Sequence, residues 1–305
     1  MLQVESSPKQ LEAEIRRIKE YKPSLGKVLD SFSGVLLVRN TIKKELIESG
    51  SPEKQPDMAR LAAGVPALSE LDLAGWFDDV DKDFCRMLDA LEKAFPDLDS
   101  AVATLRGFVS ENAGVTKSSL NRFVRGETAF ITELAEELEI DPDAARFLIE
   151  QGLKPHFEAC AAFMRPHVEK MRWDKGYCPV CGAYPDTTYL KKGHEDYDYL
   201  VAHGGQRWLH CSLCAHEWRL RRMTCPYCEN EDADSLEYFQ AEDMGHERIY
   251  VCNKCRRYVT CIDVSELVDV PPGDLLPFEL LHMDLIAQQK GYMPMAWSIW
   301  NSMEK

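Results

Sequence analysis

The sequence predicts an α+β protein with a helical N-terminal domain, two rubredoxin-like or zinc-ribbon CxxC modules, and a C-terminal helix. Three observations predict this order. Apolar residues recur at helical spacing through residues 1–170, short β-like stretches alternate with cysteine pairs after residue 173, and a last amphipathic stretch follows a Pro-Pro-Gly break. We therefore expect a helical domain at 1–172, tandem four-cysteine metal-binding modules at 173–270, and a C-terminal helix and tail at 271–305.

The start of the chain carries the signals of a helix N-terminus. Ser7 can cap the first turn, Pro8 takes the first helical position, and Gln10 can reach back to the cap. Apolar residues at helical spacing then follow, and a second stripe of them predicts a second helix. The two stripes are Leu11, Ile15 and Ile18, and then Leu25, Val28, Phe32 and Val35.

Further helices are predicted along the rest of this domain. Asp141 followed by Pro142 opens one of them, which we expect Gly152 to end, and Pro155 begins another that runs towards residue 172. Between the second stripe and Asp141, helical patterns cover residues 68–95, 100–110 and 127–138.

The sequence after residue 173 predicts short strands separated by cysteine turns. The β-like stretches are 207–210, 217–223, 236–240, 247–251 and 258–264. The break at residues 271–273 then precedes a predicted helix at 277–289, with Phe278, Leu281 and Leu285 on one face and Gly291 as its stop.

Composition and charge argue against several classes of protein. The formal net charge is −15, whereas a whole-protein grip on nucleic acid needs positive charge. The first ten residues have neither the basic nor the apolar part of a signal peptide, and no apolar run approaches the ~20 residues of a membrane span. We therefore expect a soluble, cytoplasmic protein.

Eight of the eleven cysteines form four CxxC pairs with the same spacing. A CxxC turn brings two thiolates to one point and so supplies half of a tetrahedral metal site. A reducing compartment keeps thiols available for metal, so the expected cytoplasmic location favours metal ligands over a disulfide scaffold. The four pairs are Cys178/Cys181, Cys211/Cys214, Cys225/Cys228 and Cys252/Cys255.

The intervals between pairs indicate which pairs share a metal ion. Intervals of 29 and 23 residues are suited to a ribbon-like hairpin or loop that brings the CxxC pairs at its two ends together. The interval of 10 residues is suited to a connector between two sites. We therefore expect two ions per chain, Fe or Zn, since four thiolates in a tetrahedron suit both. In this expected pairing, site 1 comprises Cys178, Cys181, Cys211 and Cys214, and site 2 comprises Cys225, Cys228, Cys252 and Cys255. The alternative is an interleaved pairing of the four CxxC turns.

The other candidate ligands have simpler interpretations. Isolated Cys85, Cys160 and Cys261 are expected to be core thiols, and His210 and His216 to lie at the surface or beside the metal site without binding the ion. An acidic, aromatic stretch at 194–203 is expected to be a loop or a hairpin tip, and no chemistry is assigned to it.

Three runs around the cysteine pairs resemble one family. GYCPVCGAYP, RWLHCSLCAHEWRLRRMTCPYCEN and YVCNKCRRYVTCIDV are similar to the formate dehydrogenase accessory proteins, the FdhE family. The resemblance is specific over residues 173–294, and over 1–172 it extends only to length and helical character. It implies a cytoplasmic assembly factor that binds the catalytic subunit of formate dehydrogenase, is required for its activity, and is associated with iron in rubredoxin-like sites.

Three functions remain open at this point: a maturation factor, an electron-transfer protein with Fe(Cys)4 centres, and a zinc-ribbon nucleic-acid binder. We expect no enzyme, because all-cysteine sites have no open coordination position and no nucleophile or acid–base set is present. Trp and Arg anchor interfaces well, although Trp218 could instead be buried between strand and knuckle. The expected docking surface comprises Glu217, Trp218, Arg219, Arg221 and Arg222.

Overall fold

A computed structural model describes residues 8–50, 52, 54–192, 205–241, 244–265, 267, 272–298 and 301. The predicted α+β class is confirmed, with helices first and a cysteine-rich sheet after them. The chain divides into two compact units, one of residues 8–171 with 180–182, and one of residues 172–179 with the described residues from 183 onward. Their correspondence to the three predicted domains stays a prediction, and the stretch 194–203 lies outside the described residues.

The first unit is built of helices, whose buried stripes are those of an amphipathic bundle. Leu11, Ile15 and Ile18 are buried on the first helix, as predicted. No described helix is long and apolar enough to cross a membrane. The helices are α1 Pro8–Tyr21, α2 Gly26–Glu48, α3 Met58–Ala62, α4 Val80–Ala94, α5 Asp99–Glu111, α6 Val115–Val124, α7 Ala129–Glu137 and α8 Pro142–Val168.

Helix α8 runs unbroken where the sequence predicted two helices. Asp141 caps it as expected, by accepting a hydrogen bond from the backbone N–H of Ala144. Gly152 and Pro155, however, lie inside the helix, so the predicted stop and restart are wrong. A Cβ at Gly152 would overlap the ring of Phe84, which shows that this glycine permits close packing of α4 on α8.

Two other helical predictions need correction. The predicted helix at 68–95 begins only at Val80, because residues 64–79 form turns and irregular backbone. The sequence also failed to predict α6, which begins after Gly114 at a φ of +82°. Its buried Thr116, Leu120, Phe123 and Val124 do follow helical spacing, but the helix has only 10 residues, which is shorter than the window over which such a period is distinct.

The second unit is organised around one mixed sheet of two matching modules, and the first knuckle extends into residues 180–182, which are grouped with the other unit. In each module a CxxC knuckle precedes two antiparallel strands, a second knuckle follows, and a third strand ends the module. The sheet order β3-β2-β1-β6-β5-β4 therefore repeats the same three-strand order twice. The strands are β1 Pro185–Lys191, β2 Gln206–Cys211, β3 Glu217–Arg219, β4 Leu236–Ala241, β5 Met244–Cys252, β6 Arg257–Asp263 and β7 Met293–Pro294.

The two modules join through a parallel pair of strands, β1 and β6. Thr187 lies opposite Thr260, and Leu190 lies opposite Asp263. The Thr188 hydroxyl adds a hydrogen bond of 3.1 Å to the Thr260 carbonyl across this junction. The sequence predicted neither β1 nor the joining of the modules into one sheet.

Two short helices, α9 Leu276–Glu279 and α10 Leu281–Gln289, close the apolar core of this unit. Of the predicted face, Phe278 is buried as expected, but Leu285 is 50% exposed and Leu281 is only half-buried, so the prediction is wrong for these two residues. The break near Leu280 rotates a different stripe towards the sheet. That stripe is Leu276, Leu280, Met283 and Ala287, packed with Tyr189, Ile249, Tyr258 and Ile262.

Candidate metal centre

The four CxxC turns share one backbone conformation. In each, the residue after the second cysteine has a left-handed φ: +82° at Gly182, +54° at Ala215, +56° at Glu229 and +58° at Arg256. The sequence singled out only Gly182, since only glycine adopts this conformation without strain. Three of these residues therefore hold a disfavoured backbone conformation, which persists only where the surroundings impose it.

Backbone hydrogen bonds close each turn in the same way. The N–H of the first cysteine donates to the carbonyl five residues later, from Cys178 to Ala183 at 2.9 Å and from Cys225 to Asn230 at 2.8 Å. The Cys211 N–H does the same, and Cys252 pairs with the residue five positions on in the β5–β6 ladder. Four equivalent knuckles therefore present their thiol pairs with the same local geometry.

Site 1 brings together the knuckle that precedes β1 and the knuckle between β2 and β3. The sulfurs of Cys178, Cys181, Cys211 and Cys214 lie within 4.8 Å of one another. All four residues are buried, with exposed fractions from 0% to 5%. This centre is therefore closed to solvent.

Site 2 combines the equivalent knuckles of the second module, before β4 and between β5 and β6. The sulfurs of Cys225, Cys228, Cys252 and Cys255 also lie within 4.8 Å of one another. Cys225 and Cys252 are buried, whereas Cys228 and Cys255 are only half-buried. The second centre is thus the more accessible of the two.

The sulfur–sulfur distances fit a tetrahedral ion. The pairs Cys178–Cys214, Cys225–Cys255 and Cys228–Cys252 are separated by 3.6, 3.8 and 3.7 Å. A tetrahedral ion with metal–sulfur bonds of about 2.3 Å holds its sulfurs about 3.8 Å apart, whereas a disulfide bond is about 2.05 Å long. Each cluster could therefore hold one ion, and the groupings are those that the spacing predicted.

Burial and the backbone N–H groups of the knuckle have opposite effects on the pKa values of the thiols of site 2. Burial raises the pKa of Cys225 well above its ordinary value and that of Cys255 to about 11. Burial also opposes ionisation of Cys252, but backbone N–H groups of Cys255 and Lys254 stabilise its thiolate and lower its pKa overall. A bound cation would favour all four thiolates, which is the charge state that a metal ligand needs.

A side chain that the sequence did not single out adds to this effect. Asn230 is buried and its Nδ2 lies 3.9 Å from the Cys252 sulfur and 2.6 Å from the Ser235 hydroxyl. Hydrogen bonds to ligand atoms orient them and tune metal affinity. No local sequence signal identifies it, because the equivalent positions of the other three knuckles hold Ala183, His216 and Arg257.

The two histidines beside the second knuckle are buried, so a surface position is excluded. His210 Nδ1 lies 2.9 Å from Asp186 Oδ1, and its Nε2 lies 3.6 Å from Asp274 Oδ1. Burial alone would lower the pKa of His210, but the two carboxylates outweigh burial and raise it to about 10. His210 is thus engaged by carboxylates, and neither it nor His216 belongs to a thiol cluster.

The isolated cysteines lie outside both clusters. Cys160 and Cys261 are fully buried, and burial raises the pKa of both thiols, that of Cys261 to about 11. These two are core thiols, as predicted. Cys85 is only half-buried, although burial raises the pKa of its thiol too.

The expected docking surface is reduced by burial. Glu217 is 2% exposed and accepts a hydrogen bond of 2.9 Å from the Tyr189 hydroxyl. Trp218 is 4% exposed and its indole N–H donates to the Lys175 carbonyl at 3.1 Å. Neither side chain offers contact area to a partner, so the prediction is corrected for Glu217, and for Trp218 the alternative of a buried position is the one observed. The exposed members are Arg219, Arg221 and Arg222.

The chain is similar in sequence and fold to proteins named FdhE. No protein-family model matches it. An FdhE homolog of Aquifex aeolicus is 30% identical over 281 residues, which cover 90% of this chain and 89% of that protein. The FdhE homolog of Haemophilus ducreyi is 24% identical over 189 residues, or 59% of this chain and 57% of its own. The crystal structure of the FdhE protein from Pseudomonas aeruginosa has a TM-score of 0.67 at 18% identity and covers 100% of this chain and 99% of that chain, which shows a shared fold.

Proposed function

Because this chain belongs to the FdhE family of formate dehydrogenase accessory proteins, we propose that it is a metal-binding maturation factor for that enzyme. It binds the catalytic subunit of a formate dehydrogenase during cytoplasmic assembly, is required for the activity of that enzyme, and turns over no substrate itself. The observation that carries the proposal is the 30% identity to the Aquifex protein over 90% of the chain.

The two thiol clusters support a structural role for the metal. Four thiolates fill a tetrahedral coordination shell, so each site lacks the open position that hydrolytic catalysis uses. Fe and Zn both suit such a site. We expect metal analysis of the full chain, purified without added metal, to find about two ions per chain. A folded second unit without metal would contradict this assignment.

The exposed arginines of the β3 segment are the proposed docking residues. The chain as a whole is strongly acidic, so three exposed guanidinium groups within four positions form a local positive patch. Arg221 lies 3.3 Å from Glu231, but both side chains are more than half exposed and such a pair is weak. Arginine anchors interfaces because its rigid fork offers several donors at once.

Capture of the purified catalytic subunit tests this surface. Arg219→Glu with Arg222→Glu should weaken capture while the metal content stays unchanged. A matched control is Arg16→Glu with Arg125→Glu, which changes the net charge equally at exposed positions of the helical unit. Equal loss of capture in both variants would show that the change in net charge alone causes the loss, and it would reject these arginines as the docking surface.

Deletion of the gene tests the function itself. Formate dehydrogenase activity should fall while the transcript of the enzyme persists, and the wild-type gene should restore activity. Normal activity in the deletion strain, with no related gene to compensate, would reject the proposed function.

Electron transfer is the second candidate, and one observation favours it. Cys228 and Cys255 of site 2 reach the surface, which would shorten the path of an electron to a partner. A reversible one-electron step of the iron-loaded chain at a physiological potential would support this function. A redox-silent chain that still restores formate dehydrogenase activity would exclude it.

A further inference from the structure

The segment that follows α10 lies along the second module as a strap. Residues 291–295, here named the C-terminal strap, begin at Gly291 with a φ of +78° and include strand β7. The strap runs parallel to the start of β6, where the Met293 N–H donates to the Arg256 carbonyl at 2.9 Å and the Met295 N–H donates to the Tyr258 carbonyl at 3.1 Å. Its backbone is therefore fixed to the residues directly after Cys255.

Side chains at the Cys252/Cys255 knuckle also contact the strap, in addition to these backbone hydrogen bonds. The Arg256 guanidinium lies 4.0 Å from the centre of the Tyr292 ring and 3.3 Å from the Gly291 carbonyl. The Tyr292 hydroxyl donates to Asn253 Oδ1 at 2.6 Å. Asn253 lies between the two cysteines of this knuckle, so the strap is bonded to the metal-binding turn itself.

The next residue of β6, Arg257, completes the set of side-chain contacts to the strap. The three contacting residues, Asn253, Arg256 and Arg257, are here named the clamp. Arg257 Nη1 donates to the Pro294 carbonyl at 2.6 Å, and its guanidinium lies 3.9 Å from the centre of the Tyr227 ring. Tyr227 sits between the cysteines of the other knuckle of site 2. Arg257 therefore connects both knuckles of one metal site to the strap.

The clamp depends on a strained knuckle. Arg256, whose guanidinium contacts the strap, has a φ of +58°, a conformation that non-glycine residues hold only when their surroundings impose it. Its N–H donates to the Cys252 carbonyl at 2.8 Å, which closes the turn around the two thiols. Met295 meanwhile packs in an apolar cluster with Cys225 and Cys252. Bonds from one ion to the cysteines would fix all of these positions together.

We propose that the metal ion of site 2 holds the C-terminal strap on the sheet, so that loss of this ion releases the strap. The proposal rests on the proposed function only in requiring that site 2 bind a metal ion. Release would bare the edge of β6 at Arg257 and Tyr258, and unpaired strand edges accept further strands. Site 1 is a natural control, since no described strand pairs with the outer edge of β3 in the first module.

Amide hydrogen exchange of the full, zinc-loaded chain tests the proposal. Cys225→Ser with Cys228→Ser empties site 2 and leaves unchanged Asn253, Arg256 and Arg257, whose side chains make the hydrogen bonds to the strap. We expect the zinc content to fall from about two ions to about one, and exchange at Met293 and Met295 to rise about tenfold or more. Cys178→Ser with Cys181→Ser should remove one ion and leave strap exchange unchanged, with β4–β5 exchange reporting whether the second module stays folded.

A second variant separates the clamp from the ion. Arg256→Gln with Arg257→Gln should raise strap exchange while two zinc ions remain bound. Strap exchange that stays slow after site 2 is emptied, or that rises equally when site 1 is emptied, would overturn the proposal. A zinc content that the site 2 change leaves at two would refute the metal assignment, and the strap proposal with it.

Discussion

Gly176 is the position where a single added methyl group should do most damage to the metal-binding unit. A Cβ built on Gly176 would overlap the backbone carbonyl group of Pro226 and lie 2.5 Å from its Cα. Gly176 lies two residues before the first knuckle and Pro226 lies inside the third, so this contact locks the first module against the second. Gly176→Ala would force the two knuckles apart.

The magnitude follows from the distance. Non-bonded carbon atoms prefer separations of about 3.5–4.0 Å, so the backbone at Pro226 would have to move by about 1 Å or more. Overpacking that side chains can absorb costs about 1–3 kcal/mol, and a backbone obstacle places this change at the upper end, about 3 kcal/mol. With a urea dependence of about 1–3 kcal/mol per M, the unfolding midpoint should fall by about 1–3 M.

The assay is a urea titration of the zinc-loaded chain in which metal release is followed with a coloured chelator. Gly34→Ala is the matched control, because Gly34 lies inside α2 with no atom within 4 Å of an added Cβ. That change should leave metal release unaltered and add up to about 1 kcal/mol to the helical unit through helix propensity. If Gly176→Ala released metal within about 0.3 M of the wild-type midpoint, the interlock of the two modules would be refuted.

Three further outcomes are expected. A thiol-reactive reagent should modify Cys228 and Cys255 before any thiol of site 1, because only these two ligand positions are half-buried; peptide mass mapping after brief exposure checks this, and earlier modification at site 1 would contradict it. Glu229→Val should be about 1–2 kcal/mol less stable than Glu229→Asn in urea unfolding, because residue 229 has a φ of +56° and asparagine tolerates that region better than a β-branched residue; equal stabilities would argue against the strained knuckle. Burial raises the pKa of Asp284 from its ordinary 3.8 to about 7, so the folded state binds this proton more tightly than the unfolded state between those values. The stability of the wild type relative to Asp284→Asn should therefore fall as pH rises from about 4 to about 7 and level off above, and a difference in thermal unfolding that does not vary with pH would exclude this effect.

The metal-site groupings follow from local sequence, and so could be predicted. A CxxC pair sets its own geometry within five residues, and a short connector cannot return its two ends to one point as easily as a longer ribbon can. The conformation of Ala215, Glu229 and Arg256 was not predictable from residue type, since each adopts a φ that its own side chain disfavours. Hydrogen bonds and ligand geometry outside these residues overrule that preference.

Helix boundaries failed where packing between elements overrides local signals. Glycine and proline ordinarily punctuate helices, yet Gly152 and Pro155 lie within α8. The space that Gly152 leaves for Phe84 depends on a helix distant in sequence, which no local pattern shows. For the same reason the sequence left the burial of Trp218 open, since its indole N–H bonds to the Lys175 carbonyl 43 residues away.

The amino-acid sequence by itself determined the α+β class, the four knuckles, their grouping into two four-thiol sites and the family resemblance, because these depend on spacing and residue type along short stretches. Only the tertiary structure decided which strands join the modules, which face of α10 is buried and which arginines remain exposed. Those properties depend on pairings between residues far apart in the chain. The parallel β1–β6 pair and the pairing of the strap with β6 both form at strand edges that the modules leave unpaired. Such edges exist only once the modules have folded.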